Sequence, residues 1–314
     1  MQNKTPAVPS VVKQSTWKRF VRQRHFHFFM IVMALWCFAM QVLPIFGNII
    51  AFQNFRITRG FFNSTWVGLR HFKSFLTNPY TATLVRNTLA MSTLGLVFGT
   101  LASVLLALLL NEIRHSVFKR TVQTISYLPH FLSMAVVASL FTQILARSGP
   151  INEFLISSGL SQEVIPFLEK EEMFWTIITI QSVWKSAGYG AIVYIAAITG
   201  ISSELYEAAA IDGAGRFRRL WSITLPSIIP TIIVVFILNS ANLVKGGFEQ
   251  QLLMYNPMVM DHAEVINTYV YKRGVGAADY SFATAIGMLQ SILSLILLVV
   301  VNKVSDHLTQ VSLW

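Results

Sequence analysis

The chain has 314 residues, of which 54% are hydrophobic and only 12% are charged, and its formal net charge is +10. An ordinary soluble domain carries roughly a quarter charged residues, so this composition excludes a single water-soluble globular domain. The positive charge is compatible with nucleic-acid binding, but in so apolar a chain it is more simply explained by basic residues kept on the cytoplasmic side of a membrane.

Six apolar stretches are long enough to cross a bilayer core of about 30 Å as helices. The first is too long for the apolar part of a cleaved signal peptide, so we expect it to be retained. The sequence therefore predicts an all-α polytopic membrane protein, with a transmembrane domain at 28–304 and tails at 1–27 and 305–314. The six predicted spans are 28–52, 84–110, 121–146, 173–199, 225–245 and 280–302.

The N-terminal tail carries six basic residues and no acidic residue. Placing it in the cytoplasm also places the basic cluster at 216–219 and Lys303 there, as the positive-inside rule requires. The sequence therefore predicts that both termini are cytoplasmic. Trp17 and Phe20 alternate with the charges, a pattern typical of a segment lying on an anionic leaflet, and a disordered tail is the alternative.

The segment 53–83, between the first two spans, is too polar to cross the membrane and is rich in aromatic residues. We expect it to fold along the outer surface, with Trp66 as an interfacial anchor. It holds four basic residues and no acidic one: Arg56, Arg59, Arg70 and Lys73. These charges suit an acidic oligosaccharide, lipid phosphates or an acidic partner protein, and the sequence leaves the three alternatives open.

Polar side chains within spans are costly and usually face a cavity or another helix. Lys185 costs about 2.5–3.5 kcal/mol near a span centre unless it is paired or reaches water. It is expected to contact solute or form a gate ion pair, with Trp184 offering a face to a sugar ring. The alternatives are that it reaches the interface or pairs with a partner subunit. The amides that suit solute contact or interhelical hydrogen bonds are Asn87, Gln143, Gln181, Asn239, Asn242 and Gln290.

Pro129 lies within the third span and predicts a kink there, with His130 as a satisfied polar neighbour rather than a ligand. The lone cysteine, Cys37, cannot form an internal disulfide, and no Cys and His cluster has the spacing of a metal site. The sequence also contains no G-x-x-x-x-G-K-[ST] phosphate loop. It therefore predicts no catalytic residue, no metal and no cofactor bound by this chain.

The cytoplasmic segment 203–226 has a composition unlike that of the other loops. Ser203 is expected to cap a short helix, Gly213 and Gly215 to end it, and Arg216 to begin a second helix. The small alanines leave room for the groove of another protein, so the sequence predicts a helix–turn–helix that receives a partner. The residues assigned to this role are Glu207, Ala208, Ala209, Asp212, Gly213, Arg216, Leu225 and Pro226.

The spacing from Glu207-Ala208-Ala209 through Gly213 to Ile223, Leu225 and Pro226 is similar to the EAA loop of ABC importer permeases. The chain resembles the type I permeases of the MetI-like fold. That resemblance implies that the segment docks on a cytoplasmic ATPase dimer, which uses ATP and Mg, and that hydrolysis is not performed by this chain. It further implies a second permease subunit, usually a different chain, an external solute-binding protein, and a place in the bacterial cytoplasmic (inner) membrane.

Other motifs narrow the resemblance. Trp66-Val67-Gly68-Leu69, Tyr127-Leu128-Pro129-His130 and Trp184-Lys185-Ser186-Ala187-Gly188 look like carbohydrate permeases. The loop 246–279, with Gly247-Phe248-Glu249-Gln250, resembles the permeases of lipoprotein gene clusters and the larger membrane subunit of an alginate importer. In that family this region reaches toward the binding protein, so Glu249 and Gln250 are expected to help receive solute. A solvated interfacial carboxylate at Glu249 is the alternative.

The predicted function is ATP-driven import of an oligosaccharide by alternating access, and the sequence leaves open whether that sugar is neutral or acidic like alginate. The alternative from another class is an ion-coupled secondary transporter of a polar solute. Such a transporter needs interrupted helices and a buried acidic relay, whereas no predicted span holds a central Asp or Glu. A purely structural membrane protein would not need the coupling motif. We expect membrane lipids among the partners, and no nucleic acid.

Overall fold

The computed structural model describes residues 23–314, and these are almost wholly helical, with one two-stranded hairpin among them. Most of the basic N-terminal tail, and the expectation that it lies on a lipid surface, falls outside the described residues. The chain divides into two compact units, Met1–Ile50 and Ala51–Trp314.

The first apolar helix runs over His25–Phe52 and is long enough to cross a membrane. It starts as the regular helix α1, Arg24–Cys37, continues through a π turn at Phe38–Val42, and ends as a 3₁₀ helix, Leu43–Phe52. Pro44 lies at the change from the π to the 3₁₀ conformation, where its ring and missing N–H disfavour regular α-helical bonding. Cys37 is exposed on this helix.

The second unit begins with a small hairpin of β1, Gln53–Asn54, and β2, Thr65–Trp66, followed by α2, Arg70–Leu76. The antiparallel register pairs Gln53 with Trp66. The second apolar helix, α3, then covers Thr81–Glu112 and lies against α7, Glu171–Thr199. These two long helices form the centre of the unit.

The third predicted span is broken rather than merely kinked. Helix α4, Ser116–Tyr127, passes through a 3₁₀ turn at Leu128–Phe131 into α5, Met134–Ile144, and the two helices meet at 103°. Pro129 lies in that turn, so the predicted position is right, and the observed bend is larger than the predicted kink. Ser133 caps α5 by accepting a hydrogen bond from the Val136 N–H.

The fifth apolar helix is continuous over Arg216–Ser240. It consists of α9, Arg216–Arg219, a π turn at Leu220–Thr224, and α10, Leu225–Ser240. It therefore begins within the predicted loop and ends five residues before the predicted end, since 241–245 form turns. The last helix, α14, covers Tyr280–Thr309 and extends seven residues beyond the predicted span, into the predicted C-terminal tail.

Short helices form the connections at both ends of the long ones. They are α6, Pro150–Ser157; α8, Ser203–Ile211; α11, Glu249–Met254; α12, Met260–Ala263; and α13, Ile266–Tyr271. A 3₁₀ turn at Pro257–Val259 and a π turn at Lys272–Gly276 complete the loop between α10 and α14. This loop is thus built from ordered helices that cover one end of α3 and α7.

Three apolar clusters hold the second unit together. One joins α3, α7 and the loop helices around Ile178 and Val259. A second joins α3, α7 and α10 around Tyr194 and Ile228 near the opposite end. The third packs Phe75 of α2 against Phe282 of α14. Since burial of a large apolar side chain stabilises by about 1.5–3 kcal/mol, these clusters fix the relative positions of the helices around the site.

Within residues 23–314, four helices are long and apolar enough to cross a membrane, and the number rises to six if each of the two bent pairs is one span. The predicted all-α polytopic membrane architecture is therefore confirmed, and its six spans lie within this range of four to six. The cytoplasmic placement of the termini stays a prediction.

Candidate functional site

A cavity of about 560 Å³ lies between α3, α7, α10 and the loop after α10. Its lining combines small residues with neutral hydrogen-bonding groups, and none of its lining residues is charged. The polar members are Ser92, Thr100, Ser103, Thr179, Ser182, Ser186, Tyr189, Tyr194, Asn239, Asn242, Gln250 and Gln251. Such a surface can hydrogen-bond a hydroxyl-rich solute without a fixed charge.

Small residues at every fourth position create this cavity wall. Gly95, Gly99 and Ser103 face it from α3, and Ser182, Ser186 and Gly190 face it from α7. A Cβ atom at Gly190 would lie only 2.5 Å from the Ser103 Oγ, so that glycine is required for the close approach of the two helices. No prediction from the sequence included this wall, although the four-residue spacing of small side chains is its signal.

The loop helix α11 closes one end of the cavity. The Gln250 Nε2 donates to the Ile178 carbonyl at 2.8 Å and to the Gln181 Oε1 at 2.7 Å. Gly247 has φ of +70°, and a Cβ there would overlap the Gln251 side chain. The left-handed backbone therefore turns the chain so that both glutamines enter the cavity end.

Asn87 attaches the same loop to α3. It is fully buried, and its Nδ2 donates to the carbonyls of Asp261 at 2.8 Å and Glu264 at 2.9 Å. Its Oδ1 accepts from the Arg86 guanidinium at 3.1 Å. Next to it, the Thr88 Oγ1 accepts from the Ile266 N–H at 3.0 Å. These hydrogen bonds pair backbone groups of the loop with side chains of α3, so Asn87 attaches the loop to the helix.

Lys185 has a role that the sequence did not predict. Its ammonium donates to the carbonyls of His130 and Leu132, both at 2.8 Å, at the break between α4 and α5. One turn along α7, the ring of Tyr189 stacks on His130 at 4.0 Å. A Cβ at Gly188 would overlap the Ser126 carbonyl. The Lys185 ammonium of α7 thus donates to carbonyls that have no helical hydrogen-bond partner, because the helix is interrupted between α4 and α5.

The structure brings together only part of the predicted substrate path. Asn239, Asn242 and Gln250 line the cavity. Gln181 lies behind Gln250 as its hydrogen-bond partner. The others are elsewhere: Asn87 and Lys185 bond backbone carbonyls, Trp184 contacts Phe141 at an apolar groove, and Glu249 is exposed at the start of α11.

The predicted helix–turn–helix at the other end of α7 is present. Helix α8 ends at Ile211, Gly213 follows with φ of +75°, and Gly215 precedes α9. The capping side chain is that of Ser202, which accepts from the Glu204 N–H at 3.3 Å, so the expected cap at Ser203 was misplaced by one residue.

This coupling segment, 202–226, is largely exposed. Glu207, Ala208, Asp212 and Arg216 are exposed, and α8 buries no residue. Ile211 and Phe217 are 87% and 75% exposed. A hydrogen bond of 2.9 Å between the Tyr206 hydroxyl and the Thr224 Oγ1 holds α8 to the fifth helix. The segment therefore presents apolar, acidic and basic side chains on a fixed backbone, as a docking surface requires.

Several ionisable groups near the cavity loop are paired. Glu264 is buried; it accepts from the Lys272 Nζ at 2.9 Å and from the Tyr80 hydroxyl at 3.0 Å. Burial, together with the Glu264 carboxylate, raises the pKa of Tyr80 above its ordinary value. At the surface, the Arg147 guanidinium lowers the pKa of Glu169. Among residues 23–314, no group of three or more His, Cys, Asp or Glu side chains could hold a metal ion.

Comparison with known proteins identifies a family. The family described as "Binding-protein-dependent transport system inner membrane component" matches residues 95–310. Protein LplB of Bacillus subtilis (strain 168) is 40% identical over 304 residues, which is 96% of this chain and 95% of that protein. The polygalacturonan/rhamnogalacturonan transport system permease protein YteP of the same strain is 38% identical over 306 residues, with the same coverage.

A solved structure has the same fold. A chain of the bacterial alginate ABC transporter, crystallised with a periplasmic protein bound to an alginate pentasaccharide, superposes with a TM-score of 0.85. It is 34% identical and covers 95% of this chain and 99% of its own length.

Proposed function

We propose that this chain, which belongs to the family of binding-protein-dependent transport system inner membrane components, carries acidic oligosaccharides across the bacterial inner membrane. Membership makes it a multi-pass permease of an ABC importer. The choice of cargo rests on two similar proteins, a polygalacturonan/rhamnogalacturonan permease and a transporter of the acidic polysaccharide alginate.

The observation that carries the proposal is the position of the neutral polar cavity relative to the coupling segment. The cavity lies between α3, α7 and α10 beneath the α11 loop, while the exposed segment 202–226 follows the far end of α7. Hydroxyl and amide groups suit the hydroxyls of a sugar.

The cavity is sized for part of an oligosaccharide. A volume of about 560 Å³ falls within the range of pockets for drug-sized ligands and is small for a longer chain of sugars. We therefore assign the rest of the path to a second permease subunit, a different chain of similar architecture. The external solute-binding protein would deliver the cargo at the end formed by the α11 loop, where Glu249 is exposed.

Energy would enter at the coupling segment. A cytoplasmic ATPase dimer, which binds ATP and Mg, would dock on α8 through Glu207, the small alanines and the exposed Ile211. Closure of the ATPases would carry α8 with it, and the Tyr206–Thr224 hydrogen bond would pass this motion to the fifth helix, one wall of the cavity. ATP hydrolysis would then reset the inward-facing state.

The test is uptake by proteoliposomes that contain the chain with its ATPase, companion permease and binding protein. An oligogalacturonate and an alginate pentasaccharide would be compared with a neutral maltopentaose, each with and without ATP. We expect ATP-dependent uptake of the acidic sugars. Uptake of only the neutral sugar would overturn the choice of cargo, and uptake driven by an ion gradient without ATP would overturn the energy source.

A cavity variant sharpens this test. Replacing Asn239 and Asn242 with alanine removes two hydrogen-bonding side chains that line the cavity. Loss of one or two bonds to a neutral partner, each about 0.5–1.5 kcal/mol, should lower uptake several-fold. Docking of the ATPase should be unchanged, because both residues lie away from segment 202–226. Unchanged uptake would place the cargo outside this cavity.

A further inference from the structure

The segment 53–77, here called the interfacial segment, connects the first apolar helix, which ends at Phe52, to the second, which begins at Thr81. Both helices are long and apolar enough to cross a membrane, so the segment is held within a few residues of the bilayer surface at each end. Within the second unit, the Phe55 N–H donates to the Ser281 Oγ at 2.9 Å and Phe75 packs on Phe282. The backbone of the interfacial segment is therefore anchored.

Its basic side chains have no acidic partners. Arg56, Arg59, Arg70 and Lys73 are all exposed, and within residues 23–314 none of them forms an ion pair or a side-chain hydrogen bond. The sequence contains no Asp or Glu before Glu112. This part of the second unit therefore has a positive field that the chain does not neutralise.

Large apolar side chains are exposed beside these cations. Phe62 is 99% exposed and Trp66 is 64% exposed, and three aliphatic residues lie next to the basic ones in sequence or one turn away: Ile57, Leu69 and Leu76. Exposed apolar surface costs about 25 cal/mol per Å² in water, and a cluster of this kind marks an interaction surface. The occupant must cover apolar groups as well as neutralise positive charge.

A shallow depression of about 530 Å³ on this segment is lined by both basic and apolar side chains. Arg70 and Lys73 are one turn apart on α2, so they lie on the same side of the helix. The remaining lining is two hydroxyl groups, Ser74 and Thr77, and two aliphatic residues, Val67 and Leu69. Two cations beside the Ser74 hydroxyl are suited to a phosphodiester, and the aliphatic rim is suited to its glycerol and acyl carbons. The Thr77 hydroxyl instead donates to the Lys73 carbonyl at 2.9 Å.

We propose that the interfacial segment binds anionic phospholipid, with the headgroup phosphate at Arg70 and Lys73 and the acyl region against Leu69 and the neighbouring apolar side chains. The lipid supplies negative charge and apolar surface together. A soluble acidic oligosaccharide would neutralise the cations and leave Phe62 and Trp66 in water. The position of Thr77, four residues before the membrane-crossing α3, places the depression at the depth of lipid headgroups.

The site has a structural consequence for the permease. Through Phe55 and Phe75, the interfacial segment contacts the first turn of α14, and the same end of α3 carries Asn87, which holds the cavity loop. A lipid bound at Arg70 and Lys73 would therefore hold the segment against the ends of two long helices. This inference does not depend on the identity of the transported sugar.

The experiment measures lipid retention on the complete transporter in detergent by native mass spectrometry, titrating phosphatidylglycerol or phosphatidylcholine. The test variant is Arg70→Gln with Lys73→Gln. The matched control is Lys170→Gln with Lys245→Gln, which removes two exposed basic residues from the same end of the protein. Thermal unfolding of each variant verifies the fold.

We expect the unmodified transporter to prefer phosphatidylglycerol, and the test variant to bind it roughly thirtyfold more weakly, because each basic residue near an anionic surface accounts for about a fivefold change. The control should bind as the unmodified protein does. Phe62→Ser with Trp66→Ser should weaken retention of both lipids.

Equal binding of the two lipids, or equal effects of the test and control variants, would overturn the proposal. A competition experiment distinguishes a bound lipid from a bound soluble anion. If inorganic phosphate or an oligogalacturonate displaced phosphatidylglycerol at equal concentration, the site would belong to a soluble anion and the lipid assignment would be wrong.

Discussion

The two ends of the helix bundle differ in whether their polar side chains are buried and hydrogen-bonded or exposed. At the end covered by the loop between α10 and α14, Asn87, Gln250 and Glu264 are buried and hydrogen-bonded within the chain. At the other end, α8 buries no residue and is held to the fifth helix by the Tyr206–Thr224 hydrogen bond. The polar groups of the loop end are thus paired within the chain, whereas the side chains of α8 at the coupling end are exposed. Substitutions should accordingly reduce stability at the first end and association at the second.

The largest effect on association is expected for Glu207→Lys, which reverses an exposed charge on α8. If the coupling segment is a docking surface, the affinity for the ATPase should fall by about thirtyfold, the size typical of a lost hot-spot contact. The measurement is the dissociation constant between the solubilised permease and the purified ATPase.

The thermal stability of Glu207→Lys should match that of the unmodified chain, because Glu207 is exposed. Glu163→Lys, an exposed charge reversal at the loop end, is the control and should leave docking intact. Normal ATP-driven uptake by Glu207→Lys would contradict the assignment of the coupling segment.

At the loop end, Asn87→Ala should destabilise the protein without affecting ATPase docking. It leaves the buried Glu264 carbonyl without its side-chain donor, at a cost of about 1–3 kcal/mol, whereas the Asp261 carbonyl keeps its hydrogen bond from the Arg86 guanidinium. The measurement is thermal unfolding in detergent. Asn239→Ala, an exposed amide that lines the cavity, is the matched control and should unfold as the unmodified protein does. Equal stability of the two variants would show that the hydrogen bonds of Asn87 do not stabilise the attachment of the loop to α3.

Lys185→Met tests whether the break in the third span depends on a cation. Loss of charged hydrogen bonds to His130 and Leu132 should lower the free energy of unfolding by about 1.5–3 kcal/mol. Hydrogen exchange at 128–133 should increase, since those carbonyls lose their donor. Lys185→Arg should restore part of the effect, and Lys245→Met should have none. Wild-type exchange in Lys185→Met would show that Pro129 and the ring stack fix the break alone.

The smallest effect concerns pH. Because burial and Glu264 raise the pKa of Tyr80, folding favours its neutral form. The stabilisation is complete below the ordinary tyrosine pKa of about 10 and is lost as the pH rises above it. Thermal unfolding between pH 8 and 11 should therefore show a steeper alkaline loss for the unmodified protein than for Tyr80→Phe. Parallel curves would show that the Tyr80–Glu264 contact is absent in solution.

Much of the fold and part of the site follow from sequence patterns. Apolar stretches predicted the membrane-crossing helices, because a helix in hydrocarbon must satisfy its own backbone and present apolar side chains. Pro129 predicted the interruption of the third span. The coupling segment was predicted in full apart from its cap, because Gly213 and Gly215 interrupt the helix locally and need no distant contact. Its role in docking an ATPase stays a prediction.

The polar residues of the spans were less predictable. Asn87, Gln181 and Lys185 were candidates for the substrate path on composition alone, and the structure gives each a partner from a distant part of the chain. The partners of Asn87 and Lys185 are backbone carbonyls, which no side-chain pattern identifies. The hydroxyl-bearing cavity wall was missed for a related reason, since Ser and Gly within a span are compatible with helix packing as well as with solute contact.

The sequence by itself determined which stretches enter the membrane, where the third span is interrupted and where the exposed helix–turn–helix lies, since each depends on side chains close together along the chain. Only the tertiary structure decided which intramembrane polar side chains are hydrogen-bonded within the protein and which line the cavity, where they can bind a solute. That distinction depends on whether a buried donor finds an acceptor on another helix or loop, and this is fixed by how the helices pack.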